Sequence, residues 1–186
     1  MNNAPLFLFV GRSASGKTSV ADMLEQDGYT QIASYTTRAP RYDGEIGHIF
    51  VSDEEYDKLE NIMASTLYNG HRYCTTLEQV QEADLYVVDI PGVETLLQNY
   101  DKLNREIYVM YFSVGVYHRI NRMIDRGDSD TQIISRLLTD EKEDWLDRLM
   151  DLNETRKLFT LKIVAANESI DMVYTRVKKY IKEKRK

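Results

Sequence analysis

The sequence predicts an α/β fold in three layers, with a central parallel β-sheet between two layers of helices. Short apolar runs recur along the chain, and they are continuous rather than alternating, which is typical of strands buried on both faces. These runs are LFLFV, YTQIAS, LYVVD, EIYVMYFS and LFTLKIVAA. Helical patterns separate most of them, and a glycine-rich turn follows the first. Strands that alternate with helices in this way form a parallel sheet.

The helices are expected in four places. One begins at the glycine-rich turn, and the others cover GVETLLQNY, the long stretch TQIISRLLTDEKEDWLDRLMDL and the amphipathic stretch ESIDMVYTRVKKYIKEK. We predict a single domain whose core comprises residues 1–34 and 83–186.

Two regions interrupt the alternation. The first, about residues 35–82, predicts a small β-rich lobe: a strand HIFVS, a helix DEEYDKLENI with a capping box between Ser52 and Glu55, and the strands STLYN and HRYCT around Asn69-Gly70. The second, about residues 117–136, has the polar loop RGDSD between two helices and is predicted to be a lid.

Composition excludes several classes of protein. With 186 residues, 42% hydrophobic and 29% charged, the chain is long enough and apolar enough to form its own core. A net charge of −6 argues against a nucleic-acid-binding protein. No segment predicts a signal peptide or a membrane span, so we expect a cytoplasmic protein with no membrane contact. A single cysteine, Cys74, excludes an internal disulfide and predicts a small, partly buried apolar side chain.

The turn GRSASGKTS carries the strongest motif. Gly11, Gly16, Lys17 and Thr18 fit the pattern G-x-x-x-x-G-K-[ST] between a predicted strand and a predicted helix, which is the context of a phosphate-binding P-loop. Backbone N–H groups and the helix N-terminus bind phosphate, the lysine reaches the terminal phosphates, and the threonine hydroxyl ligates Mg²⁺. The residues predicted to bind ATP here are Gly11, Ser13, Ser15, Gly16, Lys17, Thr18 and Ser19.

Asp89 ends the apolar run LYVVD, at the edge of the sheet where the crevice of such folds lies. We predict that it joins Thr18 as a ligand of Mg²⁺. The alternative is that Asp89 is the N-cap of the helix that follows Pro91.

A second phosphate site is predicted at Arg38 and Arg41, in a loop stiffened by Pro40, because guanidinium groups bind phosphate oxygens in pairs. The surrounding stretch SYTTRAPRYDGEIGHIFVS resembles the signature of the guanylate kinases, S-x-T-T-R-x-P-R, then G-E, then F-V-S. The resemblance extends to LYNGHRYCTT, to VVDI and to NRMIDRGDSDTQIISRL, and so covers nearly the whole chain.

The resemblance implies roles for further residues. The acceptor nucleotide would contact Ser34, Arg38, Arg41, His48, Tyr73, Thr75 and Asp89. The lid would supply Arg122, Arg126 and Arg136 to the donor phosphates, and Asn167 would lie by the base or sugar of the donor. Spacing supports the lid assignment, since residues four apart share one face of a helix. A solvated basic face that includes Arg119 is the alternative.

The departures from the family pattern concern the acceptor's base. Ala64 stands where the family has a glutamate that reads guanine, and DIPG lacks the second acid that follows the strand-end aspartate. His48 replaces a tyrosine of the phosphate set. A site without these two carboxylates leaves guanine N–H groups unpaired, so the base preference of the acceptor site is open. Ser65, Thr66 or Asn69 are the candidates to replace the carboxylates as hydrogen-bond acceptors.

Together these features predict a magnesium-dependent kinase that transfers the γ-phosphoryl group of ATP to GMP or dGMP, giving ADP and GDP. The alternatives are a related kinase acting on another nucleoside monophosphate or a sugar phosphate, and a non-catalytic module that binds phosphorylated protein segments. The expected partners are small-molecule nucleotides, with Mg²⁺ as cofactor, and the chain is expected to be a monomer or homodimer.

Overall fold

The computed structural model describes residues 4–40, 42–68, 70–141 and 144–185. The strands in these ranges are β1 (Leu6–Val10), β2 (Ser34–Thr36), β3 (His48–Phe50), β4 (Ile62–Tyr68), β5 (His71–Thr76), β6 (Leu85–Val87), β7 (Ile107–Ser113) and β8 (Phe159–Ala165). The helices are α1 (Lys17–Gln26), α2 (Asp53–Tyr56), α3 (Leu77–Glu82), α4 (Ile90–Gln98), α5 (Val116–Asp125), α6 (Asp130–Asp140), α7 (Trp145–Arg156) and α8 (Ile170–Lys184).

The central sheet has the order β6-β1-β7-β8, and its strand pairs are parallel. Strand β1 shows why the fold has three layers, because its five residues are all buried and alternate between two cores. Leu6, Leu8 and Val10 pack in the core that contains α4 and α7, whereas Phe7 and Phe9 pack in the core that contains α1 and α8. The predicted α/β fold with a central parallel sheet is confirmed.

One predicted strand of this sheet is nearly absent. In YTQIAS, Gln31 forms an isolated bridge to Leu85, and the backbone N–H of Ile32 donates to Leu85 O at 2.9 Å. The chain then crosses at Ser34 into the second sheet, where Ser34–Thr36 pairs with β3 and β5. A run this short cannot form long strands in both sheets.

The second sheet has the order β3-β2-β5-β4. The predicted hairpin is confirmed: β4 and β5 are antiparallel and pair Tyr68 with His71. Gly70 has a φ of +78°, which suits glycine at a tight turn, and Asn69 lies outside the described residues. Cys74 on β5 forms no disulfide, as predicted, and is fully rather than partly buried.

The capping box of Ser52 and Glu55 is confirmed, with Ser52 Oγ accepting from Glu55 N at 3.1 Å. The predicted helix over residues 53–62 is wrong in length, because α2 is one turn. Asn61 adopts a left-handed φ of +53°, which reverses the chain so that Ile62 can begin β4. Asn99, the C-cap of α4, contacts this sheet, because its Nδ2 donates to Met63 O at 3.3 Å.

The long helix predicted over residues 131–152 is two helices, α6 and α7. Asp144 is the N-cap of α7, and its carboxylate accepts from Leu146 N at 3.2 Å and from Asp147 N at 3.4 Å. The predicted polar loop between two helices is confirmed between α5 and α6. In the part of the chain that the structure describes, no helix is long and apolar enough to cross a membrane.

Candidate functional site

The P-loop has the backbone shape that its glycines predict. Gly16 is the N-cap of α1 with a φ of +92°, and a Cβ there would lie 3.1 Å from Ile170 Cδ1. A Cβ on Gly11 would lie 2.8 Å from Phe112 O, closer than side chains approach a backbone oxygen. Both positions therefore require glycine, and the loop between them is held against β7 and α8.

Lys17 folds back over this loop. Its ammonium donates to Arg12 O at 3.1 Å, to Ser15 Oγ at 3.2 Å and to Gly11 O, so its three donors all contact the loop. Burial lowers the pKa of Lys17 to about 8, while the nearby carboxylates of Asp140 and Asp89 oppose that shift. The P-loop lysine therefore titrates closer to neutral pH than an exposed lysine does.

A buried ion pair holds the front of the loop. Arg119 on α5 donates to Asp140 at the end of α6, and the two residues are 1% and 3% exposed. Asp140 Oδ2 accepts from Ser13 N at 2.9 Å, and Arg119 Nε donates to Ser13 O at 3.0 Å. The alternative of a solvated basic face that includes Arg119 is therefore wrong.

The first cavity at the site, which we call the loop cavity, has a volume of about 460 Å³. It is lined by Ala14, Ser15, Gly16, Lys17, Thr18, Ser19, Arg122, Arg126, Glu168, Ser169 and Ile170. Five of these residues are among those predicted to bind ATP from the P-loop, and the N-terminus of α1 opens into it. The cavity therefore joins a helix N-terminus to two arginines, a combination that suits phosphate groups.

Arg122 and Arg126 line this cavity through different contacts. Arg122 donates to Ala14 O at 3.2 Å and to Ala166 O at 2.7 Å, so it ties α5 to the P-loop. Arg126 pairs with Asp128, donating from Nε at 2.9 Å, and Arg136 Nε lies 3.4 Å from the same carboxylate. The predicted lid arginines thus divide into one that contacts the P-loop and two gathered at Asp128.

Asn167 does not line the loop cavity. Its Oδ1 accepts from Gly115 N at 2.8 Å, at the N-cap of α5. The neighbouring Glu168, Ser169 and Ile170 line the cavity instead. The predicted contact of Asn167 with a donor nucleotide stays a prediction.

The second cavity, which we call the inter-sheet cleft, has a volume of about 240 Å³ and lies between the two sheets and the α6–α7 region. It is lined by Gly11, Ser13, Lys17, Ser34, His48, Thr66, Tyr68, Tyr73, Tyr86, Val87, Val88, Asp89, Asp140 and Trp145. Lys17 therefore lines both cavities. Four residues predicted to bind the acceptor, Ser34, His48, Tyr73 and Asp89, come together here.

Asp89 is the N-cap of α4, and Oδ1 accepts from Gly92 N at 2.9 Å. Its Oδ2 accepts from Thr66 Oγ1 at 2.8 Å, across the cleft from the second sheet. Burial raises the pKa of Asp89. The capping alternative is therefore confirmed, and the carboxylate lines the inter-sheet cleft whereas Thr18 lines the loop cavity.

Arg38, one of the two arginines predicted to bind the acceptor's phosphate, is paired with a carboxylate. Arg38 forms a bidentate pair with Glu45, at 2.8 Å and 3.1 Å, and its guanidinium lies 5.2 Å from the centre of the Phe50 ring. It is not among the residues that line the cleft. Arg41 lies outside the described residues.

Thr75 is also outside the cleft, because it is fully buried and its hydroxyl donates to Gln79 Oε1 at 2.8 Å. The structure does not bring it together with Ser34 and Tyr73 in the cleft, contrary to the expectation.

Ala64 is fully buried on β4, in the same strand as Thr66 and Tyr68, which do line the cleft. Since successive same-face residues are two apart in a strand, Ala64 continues this face beneath Thr66. Of the candidate substitutes, Thr66 reaches the cleft, Ser65 lies on the alternate face, and Asn69 lies outside the described residues.

Sequence reasoning missed several residues of the cleft. Asp140 and Trp145 come from the break between two helices that the pattern predicted as one, so nothing in the sequence placed them there. Tyr68 and Tyr86 also line it, and burial raises the pKa of both hydroxyls. The alternation of side chains along β4 could have predicted Tyr68, because it lies two residues after Thr66 and so on the same face of the strand.

Comparison with solved structures supports this architecture. The crystal structure of a guanylate kinase from Anaplasma phagocytophilum aligns over 100% of this chain and 88% of its own, with a TM-score of 0.56 and 15% sequence identity. No protein-family model matches the chain, and no curated protein matches it in sequence. At this identity the likeness shows the fold alone, so the chain has a guanylate-kinase-like P-loop fold.

Proposed function

We propose that this chain is a P-loop kinase that transfers the γ-phosphoryl group of ATP to a nucleoside 5′-monophosphate. The observation that carries the proposal is that Lys17 lines both the loop cavity and the inter-sheet cleft. Phosphoryl transfer needs donor and acceptor phosphates side by side, with their repulsion neutralised. A single ammonium at the junction of two cavities suits that task.

In this proposal the loop cavity takes ATP. The N-terminus of α1 and the loop N–H groups bind the phosphates, and Arg122 and Arg126 neutralise charge as it develops. Lys17 donates to loop oxygens in the free protein, and phosphate oxygens would replace them as stronger, charged acceptors.

The inter-sheet cleft takes the acceptor. Ser34, His48 and Tyr73 supply hydrogen-bonding groups, whereas Arg38 is paired with Glu45 and does not line the cleft. The acceptor oxygen is already anionic near neutral pH, so no serine or cysteine nucleophile is required. The protein's contribution is alignment, exclusion of water and electrostatic stabilisation.

The residues present fit a magnesium ion through Thr18, which lies in the first turn of α1 and lines the loop cavity. Among the described residues no group of three or more His, Cys, Asp or Glu side chains could hold a metal by itself. This suits Mg²⁺, which is bound by few protein groups together with phosphate oxygens and water. The ion would neutralise charge on the phosphates when bound.

The acceptor is GMP or dGMP in the first form of the proposal. A second candidate, another nucleoside monophosphate or a sugar phosphate, is favoured by the chemistry of the cleft. Both Asp89 oxygens already accept hydrogen bonds, from Thr66 and Gly92, and the strand position of Ala64 offers no acceptor. Guanine N–H donors would then have to compete for Asp89.

The test is an assay of ADP release with ATP and magnesium against GMP, dGMP, AMP, CMP, UMP and ribose phosphates. Turnover with GMP or dGMP alone supports the first form, and turnover with another acceptor supports the second. No turnover with any acceptor, together with no thermal shift on adding ATP, would contradict the proposal and favour a phosphoprotein-binding role.

A further inference from the structure

The buried pair of Arg119 and Asp140 contacts one residue of the P-loop from several sides. Ser13 N donates to Asp140 Oδ2 at 2.9 Å, Ser13 Oγ donates to Asp140 Oδ1 at 3.3 Å, and Arg119 Nε donates to Ser13 O at 3.0 Å. The pair thus fixes the N–H, the C=O and the hydroxyl of Ser13.

The same helix holds the next residue of the loop as well. Arg119 and Arg122 are three apart on α5, so they lie on the same side of the helix. Arg119 bonds Ser13 O, and Arg122 bonds Ala14 O at 3.2 Å. Consecutive loop carbonyls are therefore held by consecutive turns of one helix.

A contribution to folding stability would not by itself explain the buried ion pair of Arg119 and Asp140. Two charges buried in a core are often replaced by apolar residues of similar size with no loss of stability, because desolvation offsets their attraction. The pair also lies at the site, since Asp140 and Ser13 both line the inter-sheet cleft. Its hydrogen bonds act on backbone that must keep one shape to receive phosphate.

We propose that Arg119 and Asp140 are positioning residues that hold the P-loop at Ser13 in the conformation that receives the nucleotide phosphates. The inference rests on the proposed function, because it assumes that the P-loop binds ATP. It adds that the pair fixes two helices to the P-loop, through Arg119 in α5 and through Asp140 at the C-terminal end of α6. These helices and the C-cap of α5 carry Arg122, Arg126 and Arg136. Motion of these helices is then confined to the ends that flank residues 126–129.

The decisive variant is the double substitution Arg119→Leu with Asp140→Leu, which removes both charges and leaves neither unpaired. The single variant Asp140→Asn would strand the Arg119 charge and can fail to fold, so it serves as a secondary comparison. The matched control is Glu94→Gln, which changes a carboxylate to an amide in the Arg148–Glu94 pair, at 2.6 Å and 2.7 Å. Glu94 lines neither cavity.

Two measurements are made on the full chain: ATP affinity by calorimetry, and amide hydrogen exchange of residues 11–18 without ligand. We expect the double variant to remain folded with a lower unfolding temperature, to bind ATP roughly 10- to 100-fold more weakly, and to exchange faster over residues 11–18. The control should bind within about twofold of the parent.

The inference is overturned if the folded double variant binds ATP as tightly as the parent and keeps slow exchange over residues 11–18. That result leaves the proposed function intact. If the parent itself does not bind ATP, the proposed function fails first and the inference fails with it, so the two failures are distinguishable.

Discussion

The loop cavity and the inter-sheet cleft meet at Lys17 but are built in different ways. More than half of the residues that line the loop cavity come from one continuous segment, residues 14–19, whose shape follows from a strand, two glycines and a helix start. The cleft is lined by residues from both sheets and from the α6–α7 break. The loop cavity is therefore formed mainly by residues close in the chain, whereas the inter-sheet cleft forms only when the two sheets pack together.

This difference bears on specificity. A local cavity of backbone N–H groups suits any triphosphate, because those groups contact phosphate and not base. The cleft presents side chains, including Asp89, Thr66 and Trp145, so the choice of acceptor depends on how α4, β4 and α7 come together. Substitutions in the two cavities should therefore affect the two substrates separately, except at Lys17.

The largest effect is expected for Lys17→Ala. Removal of a charge that faces both cavities should lower kcat/KM about 10²- to 10³-fold, as loss of one preorganised donor does in other enzymes. Circular dichroism and the unfolding temperature should be unchanged, and Lys102→Ala, an exposed lysine away from both cavities, is the control. Full activity of Lys17→Ala would contradict the proposal that Lys17 acts on the phosphates in both cavities.

A smaller effect confined to the loop cavity is expected for Arg122→Ala. Because Arg122 holds Ala14 O and lines the cavity, its loss should weaken ATP binding roughly 10- to 100-fold while leaving the acceptor KM within about twofold. Arg156→Ala, an exposed arginine at the end of α7 that lines neither cavity, is the matched control. An equal rise in the acceptor KM would show that the two cavities are not independent.

The pKa of Lys17 predicts a pH dependence of ATP affinity. Bound phosphate favours the charged ammonium, and the pKa in the free protein is about 8. Affinity should therefore be constant below that pH and fall above it, by up to about tenfold per pH unit. Calorimetry from pH 6.5 to about 9.5 measures this. In Lys17→Arg, whose guanidinium stays charged, ATP affinity should not change with pH over this range. If the affinity of this variant fell as steeply as that of the parent, the pH dependence would belong to a group other than Lys17.

The smallest effect is expected at Trp145, the single tryptophan of the chain, which lines the cleft. A nucleoside monophosphate should change its fluorescence, whereas ATP without an acceptor should not. Trp145→Phe should abolish the signal and raise the acceptor KM only about two- to tenfold, the range of one aromatic contact. A fluorescence change of the same size with ATP alone would place the donor in the cleft.

Sequence predicted the local parts of the molecule well, and the reason is physical. Four of the five predicted central strands, the hairpin of β4 and β5 and the capping box of Ser52 each depend on residues close in the chain. The P-loop conformation does too, since Gly11 and Gly16 have positive φ values that glycine adopts without a side-chain clash of its own.

The parts that sequence did not predict depend on tertiary contacts. Arg119 and Asp140 look like surface residues of amphipathic helices, and only the packing of α5 and α6 on the P-loop buries them. Thr75 matched a motif, yet its hydroxyl bonds Gln79 in the core. Asp144 could have signalled a helix start, but helical periodicity on both sides concealed the break.

The central claim is that donor and acceptor phosphates occupy the two cavities at the same time and meet at Lys17. Calorimetry with a dinucleotide in which ATP and GMP are joined through their terminal phosphates tests it most directly. We predict one molecule bound per chain, at least about 100-fold more tightly than ATP or GMP alone, because linkage makes the second contact intramolecular. Binding no tighter than ATP alone, or direct competition between free ATP and free GMP, would contradict the claim.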